Sequence, residues 1–99
     1  MNGSAVIVLS PIDNVAVCRR NVTIGEPLAM DGETAVAACD LLIGHKVARR
    51  PIPRGAEVIK YGMSIGSATA DIAPGDWVHL HNLQSNYLSI HARTSQAPA

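Results

Sequence analysis

Phenylalanine is absent from this 99-residue sequence, and its aromatic complement is one Trp and two Tyr. Aromatic rings bury the most surface per side chain, so the interior must be filled by Val, Ile, Ala and Leu. So thin a core, in a single domain near the lower size limit for independent folding, gains from a close partner; association with another chain, or between copies, is expected. A surplus of positive charge is missing too: eight Lys and Arg balance eight Asp and Glu. Phosphate contacts dominate nucleic-acid affinity, so nucleic acid is not an expected partner, and the pairs Arg19-Arg20 and Arg49-Arg50 read as solvated strand ends. No long apolar run exists. Ala5 to Leu9 is stopped by Ser10-Pro11, too short for a signal core or a membrane span. Cys18 and Cys39 form no CxxC and no secreted disulfide framework, so a reduced cytoplasmic protein is expected. A nucleophile elbow, a phosphate-binding glycine loop and a dinucleotide fingerprint are all lacking.

What is present is turn chemistry between short β-branched runs, an all-β pattern. Val15-Ala16-Val17-Cys18 is one extended run. Asp31-Gly32, between Leu28-Ala29-Met30 and the run from Glu33, is a hairpin signal because a type I′ turn needs positive φ at both central residues. Thr34 to Ala38 is alanine-rich and could be helical, but its shortness and the preceding turn favour a strand. Val58-Ile59-Lys60-Tyr61 reads as a strand ended by Gly62, and Ser64 to Ala70 as another interrupted by Gly66. Apolar–x–x–Gly followed by an acid recurs loosely around Gly25, Gly55 and Gly75; in the last, Pro74-Gly75 fits a type II turn. Their unequal spacing excludes a solenoid. The stretch from Gly55 to Asn82 organises the rest, in a chain of an N-terminal strand region (1–11), the domain proper (12–83) and a tail (84–99).

Trp77-Val78-His79-Leu80-His81 alternates, which on a strand places Val78 and Leu80 on one face and Trp77, His79 and His81 on the other. Imidazoles two residues apart stand about 7 Å apart. They could share a metal ion or an anionic substrate and move protons near neutral pH, although a solvated outer face is the stronger reading of an HxH taken alone. Asn82 adds an amide that could orient a hydroxyl or carboxylate. Lys60 and Tyr61 fall on opposite faces of one strand, and core packing is the simpler role for the tyrosine. A lysine in an apolar run costs free energy unless an anion is near. Gly44-His45-Lys46 is a second cationic corner. Asp13-Asn14, taken alone, is best explained as a side-chain-capped turn.

Together these blocks resemble the small SAF-type β-clip domain of the altronate and galactarate dehydratase family. The shared elements are Asp13 to Val17, Gly44 to Ala48, Val58 to Gly62, Ile65 to Ala68, Asp71-Ile72 with Gly75, and Val78 to Asn82. Arg49-Arg50-Pro51-Ile52 departs from an aspartate-bearing stretch common there. The resemblance implies a small all-β SAF domain acting beside a large catalytic subunit, as a hydro-lyase that eliminates water from a sugar acid to give a 2-keto-3-deoxy acid. Alternatives are the small subunit of a sulfolactate sulfo-lyase and a non-catalytic ligand-binding module. It further implies supporting catalytic roles for His79, His81 and Lys60, and substrate contacts from Asp13, Asn14, His45, Lys46, Tyr61 and Asn82. A divalent metal ion (iron, manganese or magnesium) would be held mainly by the large subunit, with His79 and His81 as the ligands this chain could add.

Overall fold

The computed structural model describes residues 4–86. Nine short strands and no long helix occur among them, so the all-β expectation holds. The tail reading (84–99) falls largely outside the described residues. No described helix is long and apolar enough to cross a membrane.

The centre is a four-stranded antiparallel sheet built from β1 (Val6–Ile7), β2 (Val15–Cys18), β5 (Lys46–Ala48) and β8 (Trp77–Val78), in the order β1-β2-β5-β8. A hairpin of β3 (Pro27–Met30) and β4 (Glu33–Val36) stands on one side. The other side carries β6 (Glu57–Lys60), β7 (Met63–Ala68) and β9 (Leu83–Gln84). Successive residues of β2 and β5 feed opposite sides. Ala16, Cys18 and Val47 enter one core cluster with Val22, Leu28, Met30 and Leu41, whereas Val15 and Ala48 enter a second with Ile52, Val58, Ile72 and Val78. A sheet covered on both faces explains why Val15 to Cys18 is continuously apolar instead of alternating.

The two sides repeat one another. Val22 and Leu41 form an isolated bridge, as do Ile52 and Ile72. Each of these four residues immediately precedes the same turn, with a glycine three positions on at φ +88 to +90 (Gly25, Gly44, Gly55 and Gly75). Each turn closes by an N–H···O bond of 2.9–3.0 Å: Glu26 to Thr23, His45 to Leu42, Ala56 to Pro53 and Asp76 to Ala73. Positive φ at the third turn position is the type II geometry expected at Pro74-Gly75. The secondary bonds repeat as well. Asp40 Oδ1 accepts from Ile24 N at 2.8 Å, and Asp71 Oδ1 accepts from Arg54 N at 2.9 Å. The spacing pattern of the sequence therefore marks a two-fold repeat about the central sheet. Its fourth member, Leu41 to His45, escapes the sequence pattern because no acid follows Gly44.

Asp31 (φ 51) and Gly32 (φ 89) make the expected hairpin turn, and Thr34 to Val36 is strand as preferred. Three expectations are corrected. The strand from Val58 to Tyr61 stops at Lys60, because Tyr61 (φ 56) and Gly62 (φ 75) are the turn itself. Arg49 is no solvated strand end. It is 6% exposed, pairs with Glu33 at 2.9 Å, and donates to the carbonyls of Pro11 and Asp13 at 2.9 and 3.0 Å. The guanidinium fork is suited to several fixed acceptors at once. The third correction concerns the histidines.

Candidate functional site

The strand expected over Trp77 to His81 ends at Val78. Asn82 ends it: its side-chain oxygen accepts from His79 N at 2.9 Å, its backbone N–H donates to the His79 carbonyl at 3.0 Å, and its amide nitrogen donates to the Trp77 carbonyl at 2.9 Å. A short amide side chain competing for nearby backbone groups turns the chain out of extended geometry. Leu80 is 81% exposed and anchors nothing. His79 and His81 therefore do not project from one strand face; a turn presents them, and Asn82 is itself buried inside it.

Both histidines nevertheless meet at one place. The His79 ring stacks on Trp77 (4.8 Å between centroids, 9° between planes), and the His81 ring tilts against the same indole at 5.2 Å. His45 stacks there too, 4.8 Å from Trp77 and 6.2 Å from His79. It arrives because β5 pairs with β8, with Val47 opposite Trp77. The His45 ring is oriented by its own turn, where Nδ1 accepts from Leu42 N at 3.1 Å. That fixes the neutral ring as the Nε2–H tautomer. Three imidazoles thus surround a half-buried indole, whose N–H is buried without a hydrogen-bond partner among the described residues.

The lysines lie elsewhere. Lys46 sits opposite Val17 and Val78, on the sheet face away from Val47 and Trp77. Lys60 shares its strand face with Val58, on the same side as Lys46. Partial burial pulls the Lys46 ammonium below its ordinary range, and the positive charge of Lys60 adds to the effect. Among the described residues neither lysine has an ion-pair partner. Two unneutralised ammoniums at the rim of the second core make an anion-seeking corner. On the opposite flank, a depression of about 360 Å³ next to Trp77 and His81 is lined by Asp71 and Asp76.

Asp13 and Asn14 are absorbed by the scaffold. The Asp13 carboxylate is fully buried and accepts from the backbone N–H groups of Ser10 (3.1 Å), Tyr61 (2.7 Å) and Gly62 (2.8 Å). Asn14 accepts from Ile59 N at 2.7 Å and donates to the Glu57 carbonyl at 2.8 Å, standing in for a neighbouring strand along the edge of β6. Tyr61 is exposed at the hairpin tip. As to a metal, no group of three or more His, Cys, Asp or Glu side chains is arranged to hold one among the described residues. The described residues do not make a metal site of their own. Sequence reasoning missed Trp77 as the hub of the imidazoles, and only its alternation with His79 and His81 pointed there.

The chain is 44% identical over 80 residues to altronate dehydratase of Escherichia coli (strain K12), covering 81% of this chain and 16% of that protein. It is 36% identical over 78 residues to altronate dehydratase of Bacillus subtilis (strain 168), again 16% of that protein. A (2R)-sulfolactate sulfo-lyase subunit alpha of Paracoccus pantotrophus is 43% identical over 49 residues, which is 50% of this chain and 73% of that subunit. The chain thus spans less than a fifth of the altronate dehydratases it matches. A family model described as the altronate/galactarate dehydratase SAF domain matches residues 4–86, which include the two-fold repeat, and the chain belongs to that family.

Proposed function

We propose that this chain is the SAF component of a hydroxy-acid lyase, in which a large catalytic polypeptide carries most of the active site and eliminates water from a sugar acid of the altronate or galactarate class. The observation that carries this reading is the match over residues 4–86, with altronate dehydratases as relatives. In such an elimination a proton leaves the carbon next to the carboxylate, a hydroxyl leaves the neighbouring carbon, and the resulting enol becomes a ketone. The departing hydroxyl needs a proton donor, and the carboxylate, as it takes up charge from the breaking C–H bond, needs cations beside it.

His79 and His81, exposed and held in orientation by Trp77, suit the first need. Lys46 and Lys60, on the sheet face away from them, do not reach the carboxylate of the same substrate, so the cations of the second need come from the large polypeptide. His45 steadies the same indole from the β5 side. Any divalent metal the reaction uses would be held mainly by the large polypeptide. Asp13, Asn14 and Asn82 serve the reaction only by holding the turns in place.

Steady-state kinetics test this. The chain alone should not turn over altronate or galactarate. Together with its large partner it should, and the double variant His79→Ala, His81→Ala should lower kcat about a hundredfold, the usual scale of general acid–base help, while melting as the wild type does. Normal turnover by a folded, partner-bound double variant would refute the histidine roles; robust turnover by the chain alone would refute the subunit reading. A second reading is a sulfo-lyase subunit, favoured by the coverage of 73% of the sulfo-lyase alpha subunit by so short a match. Sulfite release from sulfolactate by the same complex, with no turnover of sugar acids, would select it.

A further inference from the structure

The two-fold repeat allows each position on one side to be compared with its counterpart on the other, and the hairpin tips differ. On the first side the tip is Asp31-Gly32 followed by Glu33. Its side chains are polar, and Glu33 is tied to Arg49 and Arg50 at 2.9 and 3.2 Å. Thirty residues later the tip is Tyr61-Gly62 followed by Met63. Here the side chains are large, apolar and open to solvent: Tyr61 is 72% exposed and Met63 68%. The loop Ser10 to Asp13 is fastened to this tip by the Asp13 carboxylate, and it adds Ile12, which is 63% exposed.

Tyr61 also occupies the worse backbone conformation for its type. Its φ of 56 is left-handed, a region that Gly, Asn and Asp enter readily and other side chains enter at a cost. Asp31 fills the equivalent place with φ 51. A tyrosine there, its backbone held by a buried carboxylate and its ring presented to solvent, is poorly explained by folding. It has the marks of an anchor: aromatic, exposed, carried on a fixed turn, and accompanied by the exposed apolar Met63 and Ile12.

We infer that Tyr61, with Ile12 and Met63 around it, is the surface on which this domain docks onto the large catalytic polypeptide. The occupant follows from the proportions of the relatives. This chain accounts for 16% of an altronate dehydratase, so the bulk of such an enzyme must be met by some face of the SAF domain. The other exposed apolar side chains, Ile24 at one end of the Val22–Leu41 bridge and Leu42 and Ile43 at the other, include no left-handed large residue and are fixed by no buried carboxylate. The inference rests on the reading that a large partner exists.

The test uses the full chain and the chain from the same organism that matches altronate dehydratase outside its SAF domain, with affinity read by calorimetry and folding by thermal melts. Tyr61→Asn should weaken the complex at least about tenfold, the scale of a hot-spot loss, while the melting temperature stays level or rises, because Asn-Gly is a preferred type I′ pair. Ile12→Ser and Met63→Ser, which leave the turn untouched, should each weaken it several-fold. The pair Ile24→Ser, Ile43→Ser should bind as the wild type does. If the wild-type chains associate but these three single variants bind unchanged, the surface is wrong and the subunit reading stands. If the wild-type chains do not associate at all, both fail. A chain that is dimeric alone and becomes monomeric with Tyr61→Asn would overturn the inference in favour of contact between copies.

Discussion

Removing the Asp13 carboxylate should cost this domain a large part of its stability, although that carboxylate makes no ion pair among the described residues. Its two oxygens accept from three backbone N–H groups, those of Ser10, Tyr61 and Gly62. In Asp13→Ala all three donors lose their acceptor. A buried unmade donor costs about 1–3 kcal/mol. Tyr61 and Gly62 have exposed surface through which water can reach them, so the low end applies to each and the sum is about 3 kcal/mol. Small domains have about 0.05–0.15 kcal/mol of stability per residue, so this is a substantial share of the whole. In a domain of this size each kcal/mol moves the melting temperature by about 4–8 °C, which gives a fall of about 12–24 °C. Asp13→Asn, which keeps one acceptor oxygen, should fall by about half as much. Thermal and urea denaturation measure the loss, and amide exchange at Tyr61 and Gly62 locates it. An Asp13→Ala protein melting within about 3 °C of wild type, with those amides still protected, would show that the carboxylate is not what fixes the hairpin tip.

Further outcomes can be checked on the isolated chain. Gly75→Ala should be far worse than Gly25→Ala: both have positive φ, but a Cβ at Gly75 overlaps the Val36 carbonyl whereas one at Gly25 meets nothing. The second variant should lose only the left-handed cost of about 1–2 kcal/mol, and equal losses in urea titrations would contradict this. Lys46 has a depressed ammonium pKa. The unfolded chain therefore binds more protons than the folded one between the two values, and stability should rise with pH as the unfolded lysine value is approached from below. Lys46→Met should remove that slope and raise stability at neutral pH, and a pH series of denaturation midpoints that does not flatten would refute it. Burial raises the Cys18 thiol above its ordinary range, so a thiol reagent at neutral pH should label Cys39 first and Cys18 only on unfolding; equal labelling rates in the native protein would contradict the burial.

How much of this was legible depended on how local its cause is. Asp31-Gly32 and Pro74-Gly75 name their turns from two residues, because the required φ values exclude most other side chains. The continuous apolar run of β2 likewise announces a strand covered on both faces. The alternation from Trp77 to His81 misled, because a strand and a strand followed by an Asn-closed turn differ only in where the Asn82 amide bonds. Asp13-Asn14 was legible as a backbone-bonding pair. Its reach to Ile59, Tyr61 and Gly62, more than forty residues on, was not.

The sequence by itself determined the strand-and-turn alphabet, the recurring glycine turns and the family, since each is carried by neighbouring residues whose backbone preferences are intrinsic. Only the tertiary structure decided that the recurrence is a two-fold repeat and that Arg49 is buried. It likewise decided that His45 joins His79 and His81 at Trp77 while Lys46 and Lys60 face away. Those relations follow from antiparallel pairing of β5 with β2 on one side and β8 on the other. A shift of one residue in that register would send every side chain to the opposite face, and nothing local to any of these residues specifies which register is taken.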